Sequence, residues 1–600
     1  MQKYLVPLLK KSAYVLAACI ILIALLVAAS RYYVSALDTH KPDIEKWASN
    51  LLQTPVDIKQ VRISWYQYQP EISLNQVTVL GKDNHQPILQ VEKVRVFFSL
   101  PQSIWQRKLI PSAVMISGTD LNIQQAATGE ITLQGFPAFG GFNDQPFKNE
   151  TKITDVLAWL ATQPHIILQH IDLRYTGINQ TPRNLTIDQA SLDNVGDQHV
   201  LFGKGILHQK MPIELTGELK WIGNPADPAQ IRAKGYLYAV GMSLPQWLNA
   251  YVWHGWKIND GVMTAKVWGS WTKGRFSKIQ STFKIYNLAL YSLTDKSTHK
   301  INRLSGHVGW RYLKNSHQAV AGDDILIDLP GHLWPITNFY VDLGPQATAN
   351  VGYVNIGDIQ SFLFSSPPLL SNDVRKVLDA LQLQGGLQNT KLAFANLLTD
   401  GLPISIQTTF DNLDLAPWKS YPGVKHFSGL LKWANNQGTF ALQSKALEIS
   451  YQSIFANPIK LDMLTGDLQL ARDPQNGWQV KGQALHAENA DLSLDANGVL
   501  TMPANAVAQM DLSATYAVAR VDHIATYLPT KIFDPELTTW LRQAFLAGEL
   551  QSGKAIIRGP LNEFPFDKGN GEFTVSGTVN KIDLQFAPDW PLLKNLHGQL

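Results

Sequence analysis

The sequence predicts a mostly β protein with a few helices, its antiparallel sheet preceded by one N-terminal transmembrane helix. Three observations predict this: an uncharged apolar run near the N-terminus, a period-two alternation that dominates from Thr54 onward, and turn residues at short spacing between the alternating runs. The chain has 600 residues. A single core stops growing at about 250–300 residues, so the body is several domains or one elongated, repetitive structure.

The apolar run is Ser12 to Ser30, SAYVLAACIILIALLVAAS, without a charged residue. At about 1.5 Å per residue it forms a helix of about 28 Å, close to a hydrocarbon core of about 30 Å. Lys3, Lys10 and Lys11 precede it, and Arg31, Tyr32 and Tyr33 follow at the interface level that suits aromatic rings. The basic flank assigns residues 1–11 to the cytoplasm as an N-tail. Ala28-Ala29-Ser30 resembles a cleavage site, but the run exceeds the roughly 7–15 residues of a signal peptide, which favours a retained anchor. Residues 31–53 form a linker and an amphipathic helix. Asp43 can cap that helix, and Ile44, Trp47, Ala48 and Leu51 fall on one stripe. The stripe packs on the following sheet or lies on the membrane surface.

Period two then takes over. Val61, Ile63 and Trp65 alternate with Arg62 and Ser64; Ile72 and Leu74 follow Gln69-Pro70, then Val77 and Val79; Val94, Val96 and Phe98 alternate with Lys93 and Arg95. This is the pattern of strands with one apolar face and one face toward water, and short turns between them make a meander. Helices are expected at Ile153–Leu160, at Val374–Leu381 and after Asp534-Pro535, as lids or caps on the sheet. A loose echo of the form G-x-apolar-x-W recurs at Gly217–Trp221, Gly306–Trp310 and Gly429–Trp433, with a weaker copy at Gly466–Leu470. A glycine turn entering a strand explains it. Gly598-Gln-Leu600 stops within the same form, which implies that the native protein continues.

Composition narrows function. Fifty-one basic residues against 48 acidic leave a net charge of +3, too balanced for a nucleic-acid partner. The single cysteine is Cys19, inside the span, so the rest of the chain has no disulfide, thiolate nucleophile or cysteine-ligated metal. No phosphate loop, zinc-protease helix or nucleophile elbow is present. The 15 histidines are scattered, and no catalytic residue, metal or cofactor is expected. Asp323-Asp324 reads as a polar turn before a strand, since strand neighbours face opposite ways. Trp247, Trp253, Trp256, Trp268 and Trp271 could stack on sugar, but a glycosidase needs two facing carboxylates and this stretch offers only Asp260.

The order of segments resembles the YhdP branch of the AsmA-like family. It runs from the basic tail, span and amphipathic helix into ISWYQYQPEISLNQVTVL, then VEKVRVFFSLPQSIWQRKLIPSAVMISGTDLNI and ILQHIDLRYTG. LPQWLNA, GVMTAKVWGSW, FDNLDLAPWKSYPGVKHFSG, YLPTKIFDPELTTWLRQAFLAGEL and the GEFTVSG to DWPLLKNLHGQL stretch follow. The resemblance covers essentially the whole chain as the N-terminal half of a longer protein. It implies an elongated, twisted, groove-forming, taco-like antiparallel β-sheet over residues 54–600. It also implies a bacterial inner-membrane anchor at residues 12–30, the bulk of the chain in the periplasm, and outer-membrane contact at the far end. The implied role is bridge-like transfer of phospholipid from the inner to the outer membrane, without catalysis. Groove positions expected on that basis are Val61, Ile63, Trp65, Ile72, Leu74, Val94, Val96 and Phe98; core packing is the alternative for each. A scaffold that binds other proteins through its sheet is the alternative function.

Overall fold

The structure is a computed structural model. It describes residues 41–52, 55–66, 69–80, 87–125, 131–134, 150–152, 160–177, 182–223, 229–248, 252–313, 317–366, 372–395, 403–419, 421–473, 477–504 and 506–599, with a few positions between 13 and 28. The span expected over residues 12–30 falls largely outside these. Its described positions are helical and exposed, and among the described residues no helix is long and apolar enough to cross a membrane. The chain forms two compact units, residues 1–244 with 262–285 and residues 245–261 with 286–600.

In the first unit, helix α1 (Lys41–Leu52) precedes β1 (Val56–Tyr66), β2 (Gln69–Leu80) and β3 (Pro87–Phe98). Helix α2 (Leu100–Gln106) leads to β4 (Pro111–Gln125), and the short β5 (Ile131–Gln134) and β6 (Glu150–Lys152) follow. Then come β7 (His165–Thr176), β8 (Arg183–Val195), β9 (Gln198–His208), β10 (Ile213–Ile222) and β11 (Arg232–Ser243). Strands β12 (Trp256–Thr272) and β13 (Arg275–Ser292) are divided between the units. Pairing is antiparallel with one exception: β7 lies parallel to β4, Val114 opposite Ile166 through Gln124 opposite Thr176. The expected meander is interrupted there because β5 and β6 leave β4 as an excursion before the chain returns along its other edge. The helix expected at Ile153–Leu160 lies outside the described residues except for Leu160.

α1 begins at Lys41, so Asp43 sits in its first turn and does not cap it. Ala48 and Ile44 of its stripe pack on the sheet: Ala48 joins Val56, Ile58, Val61, Leu74, Val77, Val79, Leu89 and Val91 in one buried cluster, with Ile44 against it. The helix also covers the start of edge strand β1. Glu45 Oε1 accepts from Ile58 N at 2.9 Å and Ser49 Oγ from Val56 N at 2.9 Å, N–H groups that β1 turns away from β2. An uncovered edge would offer those donors to another chain.

The six strands β1, β2, β3, β4, β7 and β8 all interrupt their pairing at one shared row, apart from separate register shifts at the ends of the β2–β3 and β3–β4 ladders. The interrupted row runs Lys59, Gln76, Glu92, Gly118, His170, Asp188. Gln76, Gly118 and His170 adopt φ of 51°, 65° and 51°. Such a residue bends a strand and resets which face its neighbours point to. Apolar residues three apart therefore come to the same face: Ile58 and Val61, Leu74 and Val77, Val91 and Val94, Leu168 and Ile171. The polar row itself points away from them.

The second unit carries the same device. Helix α3 (Leu244–Leu248) precedes β12, and β14 (Thr298–Tyr312), β15 (Gln318–Leu329), β16 (His332–Leu333), β17 (Thr337–Asp342) and β18 (Thr348–Asn355) follow β13. Helices α4 (Ile356–Ser365) and α5 (Asn372–Leu381) precede β19 (Gln384–Ala393), β20 (Ser405–Leu415), β21 (Gly423–Ala434) and β22 (Gln437–Ser450). β23 (Ile459–Asp473), β24 (Gly477–Glu488), β25 (Leu492–Met502) and β26 (Gln509–Val518) come next. After a 3₁₀ turn at Val521–Thr526 and helix α6 (Pro535–Ala544), the unit closes with β27 (Phe545–Pro560), β28 (Glu572–Leu584) and β29 (Leu593–Gln599). Asp534 caps α6 as expected, accepting from Glu536 N at 2.8 Å.

At the breaks of this unit, side chains replace the lost ladder bonds. Asn412 N donates to Ser428 Oγ at 3.0 Å, His426 N to Asp414 Oδ1 at 2.8 Å, Ala484 N to Asn497 Oδ1 at 2.8 Å and Asn595 N to Asp583 Oδ1 at 2.9 Å. Backbone donors released at the breaks are thereby kept paired. The break in β15 also corrects the reading of Asp323-Asp324, which lie on a mid-strand bulge and not in a turn, with Asp324 at φ 52°. The echo glycines likewise sit inside strands. A Cβ at Gly429 would lie 2.4 Å from Ala441 O and one at Gly466 2.6 Å from Ala484 O, so the residue is glycine because a neighbouring backbone passes too close for anything larger.

The short helices of this unit follow β18 and β26, strands of the same direction, and so share one rim. α4 is latched to the β13–β14 turn. Trp256 stacks on Phe362 at 4.4 Å, its Nε1 donates to Ser366 Oγ at 3.1 Å, and Ser365 Oγ donates to Asp295 Oδ2 at 2.6 Å. Hydroxyl donors from Ser365 and Ser297 hold the Asp295 carboxyl well below its ordinary range. A depressed carboxylate contributes stability that is present above the unfolded value and lost as pH falls through the folded one, so the latch holds from neutral pH down to about pH 4.

Two outcomes follow. Gly466→Ala, strained at φ 127° and crowded, lowers stability to urea by about 3 kcal/mol. Gly569→Ala, at φ 80° with nothing within 4 Å, costs about 1 kcal/mol; equal costs would mean that backbone approach does not select the glycine. Asp295→Asn speeds amide exchange in α4 at neutral pH, whereas the native chain shows the same α4 protection at pH 8 and pH 5.

Candidate functional site

The residues nominated from sequence come together on one face. Register pairs Val61 with Leu74 and Leu74 with Val94; Ile63 pairs with Ile72 and Ile72 with Val96. Trp65 and Phe98 continue the same face two residues further along β1 and β3. Their environments differ. Val61 and Leu74, 5% and 7% exposed, are sealed in the cluster beneath α1, and Ile72 and Val94 pack against that cluster. Ile63, Trp65, Val96 and Phe98 are half-buried.

The opposite face is not simply a water face here. Phe97 is 5% exposed, with Tyr66 edge-on to it at 5.6 Å, and Glu71 and Ser73 on that side are also buried. Arg95, expected at the surface, is half-buried with its Nε enclosed. Asp57, Lys59 and Arg62 are the exposed charges of β1.

Followed across the unit, the nominated residues are the start of two long rows. One runs Val61, Leu74, Val94, Ile116, Leu168, Ala190, Gly203, Gly217, Leu237, Val267. The other runs Ile63, Ile72, Val96, Val114, Ile166, Leu192, Leu201, Leu219 before reaching Gly235. Ten strands at about 4.8 Å spacing extend the first row over about 43 Å. It carries no charged side chain, and it leaves Leu237 exposed and Leu168 and Val267 half-buried.

The second unit has a comparable row: Val341, Ala349, Leu392, Ile406, Trp433, Gly438, Leu470, Val480, Leu500, Met510. Beside it run Leu431, Phe440, Leu468, Gly482, Gly498, Leu512, Ile557 and Phe573. Leu392, Ile406 and Trp433 line an open depression of about 610 Å³. Most of these residues are half-buried, in contrast to the tight clusters under the rim helices, such as Val518, Val521, Leu550 and Ile582. Sequence reading missed the rows beyond β3. The signal that could have revealed them is the apolar pair three apart, which marks the break in each strand.

The tryptophans of the rich stretch differ in environment, and Trp253 is 70% exposed. Trp256 is buried against Phe362, and Trp268 leans on Tyr236 at 5.4 Å. Asp260 accepts from its neighbouring Gly261 N. Among the described residues no three His, Cys, Asp or Glu converge to hold a metal ion. His199 stacks on Trp221 at 4.9 Å, and burial lowers its pKa; His170 sits on the break row.

The contrast between sealed and half-buried positions predicts different costs. Val61→Ala destabilises the first unit by about 2 kcal/mol in denaturant unfolding, whereas Ile63→Ala costs about 1 kcal/mol. An equal or greater loss at Ile63 would make that position ordinary core.

Residues 1–600 match the YhdP protein family. The chain is also similar to the intermembrane phospholipid transporter YhdP of Escherichia coli (strain K12), with 20% identity over 621 residues, covering 97% of this chain and 45% of that protein. It therefore spans less than half the length of that relative. No solved structure matches it. With the match extending over all 600 residues, this chain belongs to the YhdP family.

Proposed function

We propose that this chain carries phospholipid between two membranes along the apolar face of its strands, without covalent chemistry. The observation that carries the reading is the pair of apolar rows in each unit, eight to ten strands wide, free of charge and half-buried away from the sealed clusters. One leaflet of a bilayer is about 15 Å of hydrocarbon, so a row of about 43 Å is long enough for an acyl chain to move along without leaving apolar contact. Each CH₂ kept from water is worth about 0.8 kcal/mol, so an interruption in the row would hold a lipid back and a continuous row does not. In this reading residues 12–30 anchor the chain in the bacterial inner membrane, the bulk lies in the periplasm, and the far end of the longer protein meets the outer membrane. Ile63, Trp65, Ile72, Val94, Val96 and Phe98 line the track, and Val61 and Leu74 form its floor. The scaffold alternative needs a strand edge open to a partner, and the start of β1 is occupied by α1.

Photocrosslinking in living cells tests this. A photoreactive residue at Ile63, Val96 or Leu500 is expected to capture phospholipid, and one at Arg62 is not. Protein adducts at the apolar positions, or none, would remove the lipid track and leave the scaffold.

A further inference from the structure

The loop between β3 and β4 is a built, protruding knob. Ser99 N donates to Ile110 O at 3.0 Å, closing its base, and Ile110 N donates to Ser103 Oγ at 3.0 Å. Lys108 N donates to Ser103 O at 3.2 Å, and Arg107 ends α2 in the left-handed region at φ 52°. This scaffold holds its apolar side chains outward: Ile104 is 75% exposed, Trp105 89% and Leu109 71%. No residue of α2 is buried. Single exposed apolar residues are ordinary, but three within six positions on a fixed tip are not. Arg107 and Lys108 stand among them, both exposed, and Ser99 to Pro111 contains no acidic residue.

We infer that this knob docks on an anionic bilayer surface, with Ile104, Trp105 and Leu109 entering the interface and Arg107 and Lys108 meeting lipid phosphates. A convex tip is buried by a surface that yields around it, as a bilayer does without needing a preformed pocket. Tryptophan suits the headgroup level, and adjacent cations are drawn to a negative leaflet. The apolar-plus-basic composition matches both demands at once. This contact is separate from the span at residues 12–30 and from the apolar rows, and it does not require that the chain move lipid.

The test uses the full chain with Cys19→Ser, removing its one native cysteine, and an environment-sensitive fluorophore on Gln106→Cys. The protein is held in phosphatidylcholine nanodiscs, with or without phosphatidylglycerol, and is then offered phosphatidylglycerol vesicles. Blue-shifted, brightened emission with the anionic lipid in either format is expected. Ile104→Ser with Trp105→Ser abolishes it, and Arg107→Gln with Lys108→Gln lowers the ratio of inserted to free knob about thirtyfold. No shift with anionic lipid in either format would overturn the proposal. So would an equal shift from a fluorophore on Val195→Cys, an exposed turn elsewhere in the unit, because the response would then be non-specific. A photoreactive residue at position 105 that captures protein in cells in place of lipid would assign the knob to a protein partner and overturn it too.

Discussion

A wide sheet that bends must stop pairing somewhere, and in this protein the stops are concentrated. In the first unit six strands lose their ladder bond in one row, from Lys59 to Asp188. Strand alternation alone would turn every second residue outward, so apolar residues three apart could not share a face. The break changes that, and Ile58, Val77 and Val91 come to the same face as Val61, Leu74 and Val94 across it. The burial of Ile58 and Val61 together, the polar row between them and the packing of α1 all follow from it. The second unit meets the same constraint with different chemistry: Ser428, Asp414, Asn497 and Asp583 take up the donors that bending releases.

Much of this was legible in the sequence. Period two located β1, β2 and β3 and put eight residues on one face, because antiparallel register carries a face from strand to strand. Asp534-Pro535 announced α6 because an N-cap and a first-turn proline act locally. What was not legible depends on contacts between distant segments. The parallel return of β7 along β4 is decided by which edge remains free after β5 and β6, and no local pattern records that. Gly429 and Gly466 looked like turn residues, but their identity is set by carbonyls of neighbouring strands. Val61 is sealed because it joins the cluster that Ala48 and Ile44 of α1 complete, and Ile63 stands outside that cluster; no local pattern records the difference.

The tight clusters and the open rows divide the apolar residues by task. Under α1, and under the 3₁₀ turn at Val521–Thr526, side chains are enclosed and hold the strands in place. Along the rows the same residue types remain half-covered, a condition that is costly unless something apolar visits. The latch of α4 adds a third element, fixing a helix at the rim through one aromatic stack and a few hydroxyl–carboxylate bonds. This separation lets the enclosed parts keep the strands in register while the rows stay accessible.

The cover that α1 places over the start of β1 has a consequence for assembly. A sheet adds strands wherever an edge offers unpaired donors, and at this end Glu45 and Ser49 already hold them. Two copies brought together through that end would find no free donors there to template the first bonds. Strand addition is therefore closed at Val56 and Ile58, the part of the edge that the helix holds. A single short amphipathic helix thus gives the array of strands a beginning.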